Sequence, residues 1–331
     1  MNNAESKKEV GVIGLGLMGS SIAAAMLING YRVIAVAPLK FDLQTGPGHI
    51  LHALNESFKQ GIHTHDISQL QANILYTKDY ADLRNCFLIS ECVIEEVDVK
   101  RAVFALIEQA VSAEAIITTN TSAIPITLLQ ETLVHPGRFL GMHWAEPAFT
   151  TPFLEIICGS KTDIVTAETL YKIASSWGKE PTLVRKDIRG FIANRLMYAM
   201  YREGFYLVEN GYASIEDVDR ACKNDAGHWM TFCGLFRYMD LTGLQAYYHV
   251  MKDLFPTLSA QIETPQLIEV IAKEGGNGTT NGNGFYKYSK DEAEEWKKAF
   301  EEFKYDINLL SLKYPGNLVD RRLKKKNAEL E

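Results

Sequence analysis

Residues 10 to 22 read VGVIGLGLMGSSI, with Gly14, Gly16 and Gly19 in the order G-x-G-x-x-G. An apolar strand pattern precedes them, and the helix-forming run AAAMLIN follows, closed by Gly30. Glycines in this order permit a tight turn and let the backbone approach a pyrophosphate. The next helix N-terminus then offers unpaired amides and a positive dipole end to the phosphates. Strand, loop, helix and a second strand at 31 to 37 together predict a βαβ dinucleotide site. Such a site expects a ribose-binding acid about 20 residues on, and VIAVAPLK has Ala37 there instead. Loss of the acid removes one reason to reject a 2′-phosphate, and Lys40 nearby would attract one. Asp42 is the available substitute as ribose ligand. NAD and NADP both stay open at this point.

Short apolar runs at 10–14, 31–37, 86–90, 115–120, 138–144, 153–158 and 181–185 read as strands. Amphipathic helical segments, such as 97–111 and 163–178, lie between several of them. Strands alternating with helices predict a largely parallel, doubly wound sheet. From about Asp187 the pattern turns helical. ANRLMYAMYREGFYLVENG has a 3.6-residue period and closes on Gly211, a C-cap signal. The expected fold is therefore α/β: a Rossmann-type domain over residues 1–186, then an all-helical domain over 187–331. A glycine- and asparagine-rich loop at 271–285 and a charged terminal helix complete the second part.

Composition narrows the function classes. A length of 331 residues suffices for two cores. A net charge of -7 argues against a nucleic-acid groove built on bulk charge. The basic run from Arg321 to Lys326 reads as a solvated tail. Cys86, Cys92, Cys158, Cys222 and Cys233 are odd in number and scattered, which fits reduced thiols in a cytoplasmic protein. Neither CxxC nor HExxH spacing occurs, so no metal is expected. The polar start MNNAESKKEV predicts no signal segment. No apolar run reaches the roughly 18 to 20 residues of a membrane span.

The stretch GMHWAEPAFTTPFLEII, 141–157, places His143 before an aromatic residue and Glu155 inside an apolar run. Oxidising a secondary alcohol requires a hydride to leave carbon and a proton to leave oxygen. Histidine is the natural proton acceptor near neutral pH. A carboxylate on its other ring nitrogen fixes the tautomer and stabilises the imidazolium. An acid in an apolar strand also needs a partner. His143 and Glu155 thus form a candidate base and orienting acid.

Several blocks together resemble the 3-hydroxyacyl-CoA dehydrogenase superfamily, from about Val10 to Tyr288. They are GVIGLGLMGSSIA, LISECVIEEVDVKRAVF, TTNTSAIPI, GMHWAEP, FLEII, RGFIANRLM and GNGFYKY. The resemblance implies His143 as base, Glu155 as its partner, and Ser122 and Asn194 as substrate contacts. It implies cofactor contacts from Gly14, Gly16, Leu17, Met18, Gly19, Ala37, Glu91, Lys100 and Asn120. It further implies NAD as cofactor, with NADP still open, and a homodimer formed through the helical domain. The substrate it implies is a small molecule, a 3-hydroxyacyl-CoA, with a role in fatty acid metabolism. Three positions depart from the pattern. Ala37 replaces the ribose acid, Glu146 stands where these enzymes usually have Asn, and Arg237 stands where they have an acid. Lys59 is also the lone Lys or Arg between Phe41 and Gln71, where acyl-CoA members tend to carry lysines. Glu146 and Arg237 are therefore candidate readers of a different head group. The departures keep two rivals in view: a dehydrogenase of a free 3-hydroxy acid, carnitine-like or sugar acid, and a catalytically silent dinucleotide-binding protein.

Overall fold

A computed structural model describes residues 8 to 328, so most of the polar N-terminal segment lies outside the described residues. The chain forms two compact units that divide after Asn194.

The first unit is built on eight strands. They are β1 (Glu9–Ile13), β2 (Arg32–Val36), β3 (Ile74–Thr77), β4 (Cys86–Glu91), β5 (Ile116–Thr119), β6 (Phe139–Trp144), β7 (Phe153–Cys158) and β8 (Glu180–Val184). Six helices lie among them: α1 (Leu17–Ile28), α2 (Lys40–Lys59), α3 (Ile67–Gln71), α4 (Val97–Ala110), α5 (Ile126–Gln130) and α6 (Ile164–Ser175). The sheet order is β3-β2-β1-β4-β5-β6-β7-β8. Its inner strands read as continuous apolar runs because both faces are covered. Val10, Val12, Val33 and Ala35 enter one core cluster, and Ile13, Ile34 and Val36 enter the other, as the two-residue alternation of a strand requires.

All neighbours are parallel except one pair. β6 and β7 run antiparallel, and their register sets His143 directly opposite Glu155. β3 escaped the sequence reading. It is a four-residue edge strand with only half-buried side chains, so it lacks the apolar contrast that marked the others.

The second unit is helical. Its elements are α7 (Ala193–Glu209, whose first two residues still belong to the first unit), α8 (Ile215–Asn224), α9 (Ala226–Thr242), α10 (Leu244–Leu254), α11 (Gln266–Lys273), α12 (Lys290–Lys313) and α13 (Leu318–Ala328). Gly234, with φ 69°, bends α9. Among the described residues of this unit, Ala293 is the one apolar side chain buried within the chain. The basic run expected as a tail lies on α13. Among the described residues, no helix is long and apolar enough to cross a membrane.

Candidate active site

The glycine loop sits between β1 and α1. Gly14 has φ 86°, and a Cβ there would fall 2.9 Å from the Cys92 carbonyl oxygen. A Cβ on Gly19 would fall 1.8 Å from the carbonyl oxygen of Gly14. Backbone crowding therefore demands both glycines. Gly16 differs: a Cβ there meets nothing within 4 Å. That open space, beside the first turn of α1, is what a pyrophosphate needs. The loop thus fits the dinucleotide that its sequence predicts. Leu17 is exposed beside it and Met18 half-buried.

Three of the expected cofactor contacts, Ala37, Glu91 and Lys100, have fully buried side chains. Ala37 has no exposed surface, and its amide donates to the Thr77 carbonyl at 2.9 Å, so its side chain belongs to the core. At this edge the exposed residues are Pro38, Leu39, Lys40 and Phe41, while Asp42 Oδ2 lies 3.4 Å from the Leu15 amide. Glu91 and Lys100 form a pair. Both side chains have 0% exposure, and Lys100 Nζ donates to the two Glu91 oxygens at 2.9 and 3.1 Å. Glu91 also accepts from Thr119 Oγ1 and the Val93 amide. Burial pushes the Glu91 carboxyl up from its usual range, against the pull of Lys100 and these donors. This pair is not a solvated couple; it is an interior joint between β4 and α4.

Glu95, absent from the sequence-based candidates, continues that joint outward. Its Oε1 accepts from Thr121 Oγ1 at 2.5 Å, from the Ser122 amide at 3.0 Å and from the Ala123 amide at 3.3 Å. Its Oε2 lies 3.5 Å from Lys100 Nζ. Lys100 and Glu95 therefore fix the turn that presents Ser122. In sequence Glu95 is one acid in an EE pair, indistinguishable from a solvated face. Asn120 secures the next connection: its amide donates to the Glu91 carbonyl and its Oδ1 accepts from the Trp144 amide at 3.0 Å.

At the end of β6, His143 Nδ1 lies 2.9 Å from Glu155 Oε2. Glu155 Oε1 accepts from the amides of Ile192 and Ala193 at 2.9 and 3.0 Å. Burial alone would raise the Glu155 carboxyl, but the His143 hydrogen bond and these two amides outweigh it and hold it below the usual carboxylate range. The carboxylate is thereby locked toward the ring. Phe153 and Phe191 close around the imidazole, with ring centroids 5.6 and 5.9 Å away. Phe191 follows Gly190 in left-handed backbone with φ 50°, and is itself buried. That conformation, costly for a bulky residue, packs Phe191 beside the ring and places its successors' amides on Glu155. Asn194 Nδ2 donates to the Ser122 carbonyl at 2.9 Å. The structure thus brings His143, Glu155, Ser122 and Asn194 to one end of the sheet. Glu146 is exposed on the connection that leaves β6, in a cis peptide with Pro147. Arg237 is exposed on α9 of the second unit.

The family described as 3-hydroxyacyl-CoA dehydrogenase, NAD binding domain, matches residues 9–188, and the corresponding C-terminal domain matches residues 190–288. The chain belongs to the 3-hydroxyacyl-CoA dehydrogenase family. It is an NAD-dependent oxidoreductase. A relative from Deinococcus radiodurans, a probable 3-hydroxybutyryl-CoA dehydrogenase, is 32% identical over 84% of this chain and 99% of its own length. The 5-formyl-3-hydroxy-2-methylpyridine 4-carboxylate 5-dehydrogenase of Mesorhizobium japonicum is 29% identical over 86% of this chain and 92% of its own. A solved structure of an enzyme of that name, described as an NAD+ dependent dismutase, superposes with a TM-score of 0.85 at 26% identity, covering 93% of this chain and all of the other. The (S)-3-hydroxybutyryl-CoA dehydrogenase structure from Ralstonia eutropha gives 0.71 at 30% identity, covering 86% of this chain and all of that one. Helices α12 and α13 lie beyond both family matches.

Proposed function

We propose that the chain interconverts a 3-hydroxyacyl substrate and its 3-oxo form, with His143 as the proton-transferring base. The observation that carries this reading is the His143–Glu155 hydrogen bond of 2.9 Å, backed by two amides on the far carboxylate oxygen. With Nδ1 committed to Glu155, Nε2 is the ring atom that takes the substrate's hydroxyl proton during oxidation and returns it during reduction. Bound NAD would supply the hydride acceptor or donor. Glu155 keeps the ring in one tautomer and stabilises the imidazolium. Ser122 and Asn194 hold the substrate oxygen near the imidazole. The glycine loop would hold the pyrophosphate of NAD, with Gly16 leaving the space.

A CoA thioester is the first substrate reading, on family membership and the 32% identical relative. A free carboxylate-bearing substrate is the second. Two observations favour it: the higher TM-score with the pyridine-carboxylate dehydrogenase, and an α2 whose exposed residues include Phe41, Leu51 and Phe58 but few cations. Glu146 and Arg237 are the specificity positions of this second reading. The deciding experiment follows NADH absorbance with acetoacetyl-CoA, and with free 3-oxo and 3-hydroxy acids including pyridine carboxylates. Turnover confined to the thioester supports the first reading; turnover confined to free acids replaces it with the second.

We further propose a homodimer. A helical unit of this length with Ala293 as its one buried apolar side chain among the described residues has exposed apolar faces for a second copy to cover. On α12, Trp296, Phe300, Phe303, Ile307 and Leu310 recur at alternating spacings of four and three, the seam of a packed helix pair. Trp296, Phe300 and Phe303 are more than half exposed, at 64%, 59% and 56%.

A further inference from the structure

The connection from Trp144 to Phe153 joins the strand end bearing His143 to the strand bearing Glu155. Its middle residue, Ala148, has no exposed surface. The Ala148 amide donates to Ser21 Oγ on α1 at 2.7 Å. The Ala148 carbonyl accepts from Lys179 Nζ at 2.5 Å. One residue's backbone is therefore held between the helix that follows the glycine loop and a lysine that immediately precedes β8. Ser21 and Lys179 are both buried, at 4% and 7% exposure.

Lys179 reaches further along the same connection. Nζ also donates to the Thr151 carbonyl, and it lies 5.3 Å from the centroid of the Trp144 ring. Trp144 is the residue after His143, and its other neighbour is Trp177, stacked at 5.8 Å and 13°. The Glu180 amide adds a bond to the Pro152 carbonyl at 2.9 Å. Burial alone pushes the Lys179 ammonium down to about 8. A lysine kept in such a place is kept for its donors, since a dry, solitary charge is costly.

We propose that Lys179 is a positioning residue for the proposed His143–Glu155 couple, acting with Ser21 by clamping the Ala148 backbone against the cofactor helix. The clamp fixes the strand-end backbone that aims the imidazole and sets His143 at constant distance from the helix that holds NAD. Small displacements of a reacting group lower the rate far more than they lower binding, so the clamp's loss acts on turnover. The proposal rests on His143 being the base, as set out above.

The test uses full-length protein carrying Lys179→Met, Ser21→Ala and both. Amide hydrogen exchange is followed by mass spectrometry across residues 145–152. With NADH and acetoacetyl-CoA, kcat, KM and the dissociation constant of NAD are measured. Expected are at least tenfold faster exchange in that segment for Lys179→Met, with exchange of β1 unchanged. A drop in kcat of about tenfold or more should accompany it, while NAD affinity stays within twofold. The double variant should be little worse than Lys179→Met alone, because both side chains hold one residue's backbone. Unchanged exchange and kcat, or fully additive losses, overturn the proposal. Should Lys179→Met not fold, Ser21→Ala alone decides by the same readouts. A wild type silent on acetoacetyl-CoA overturns the thioester reading instead, and the exchange arm then decides the clamp.

Discussion

At the scale of single residues, Lys100 and Glu91 form a 2.9 Å ion pair with both side chains fully buried. Glu91 closes the strand run at 86–90, and Lys100 lies nine residues on, within the amphipathic segment 97–111. Their complete burial makes them a paired interior charge whose partners include Thr119 and the Val93 amide. Removing one member leaves the other charged and dry, which costs about 3–5 kcal/mol in known buried pairs. Lys100→Met is thus expected to lower the urea midpoint sharply, and Lys100→Met combined with Glu91→Leu to recover part of the loss. Equal destabilisation by the single and double variants would show that the pair itself is not what holds this joint. His143 and Glu155, by contrast, were legible: an acid inside an apolar run demands a partner, and a histidine at the end of the preceding strand pattern can be one. Ser122 and Asn194 were legible through the family blocks alone. Glu95 was not, because an acid that caps a turn looks in sequence like any solvated acid. Lys179 was hidden for the same reason, since burial of a lysine depends on packing from distant segments.

At the scale of elements, the glycine loop shows that three glycines of one motif do different work. Gly14 and Gly19 are required by backbone crowding, whereas a Cβ on Gly16 meets nothing within 4 Å, the space proposed for the pyrophosphate. Substitution by alanine separates the two demands. Gly19→Ala should lower the melting temperature, since its Cβ would overlap the Gly14 carbonyl oxygen at 1.8 Å. Gly16→Ala should leave the melting temperature of the apo protein within a degree or two and weaken NAD binding about tenfold, a loss of about 1.4 kcal/mol. Calorimetric melting and NAD titration check both, and equal thermal losses for the two would contradict the division. Six of the eight strands announced themselves by buried apolar runs, and β8 by a short run that is only partly buried. The edge strand β3 did not, because half-burial leaves no apolar contrast in four residues. The reversal at β7 was not legible either. The antiparallel register that faces His143 with Glu155 depends on which way the chain returns after Pro152, and local patterning carries no such information.

At the scale of the whole molecule, the chain pairs a fully cored α/β unit with a helical unit that is poorly buried on its own. The change from alternating strands to uninterrupted helical periodicity announced both. The proposal of a second copy draws on the family resemblance, because apolar helix faces look alike whether they pack within a chain or between chains. Light scattering should give twice the chain mass of 37.1 kDa. Charged substitutions at Phe300 and Phe303 should shift that mass toward a monomer if α12 contributes; an unchanged dimer would place the interface on the other helices.

The role proposed for His143, moving the substrate's proton while Glu155 orients its ring, ties all three scales together. It is tested most directly by steady-state turnover of His143→Gln beside its NAD affinity, on whichever substrate the wild type accepts. Loss of a general base predicts a fall in kcat of about 10²–10⁴-fold with the NAD dissociation constant unchanged. Turnover within a few-fold of wild type would contradict that role.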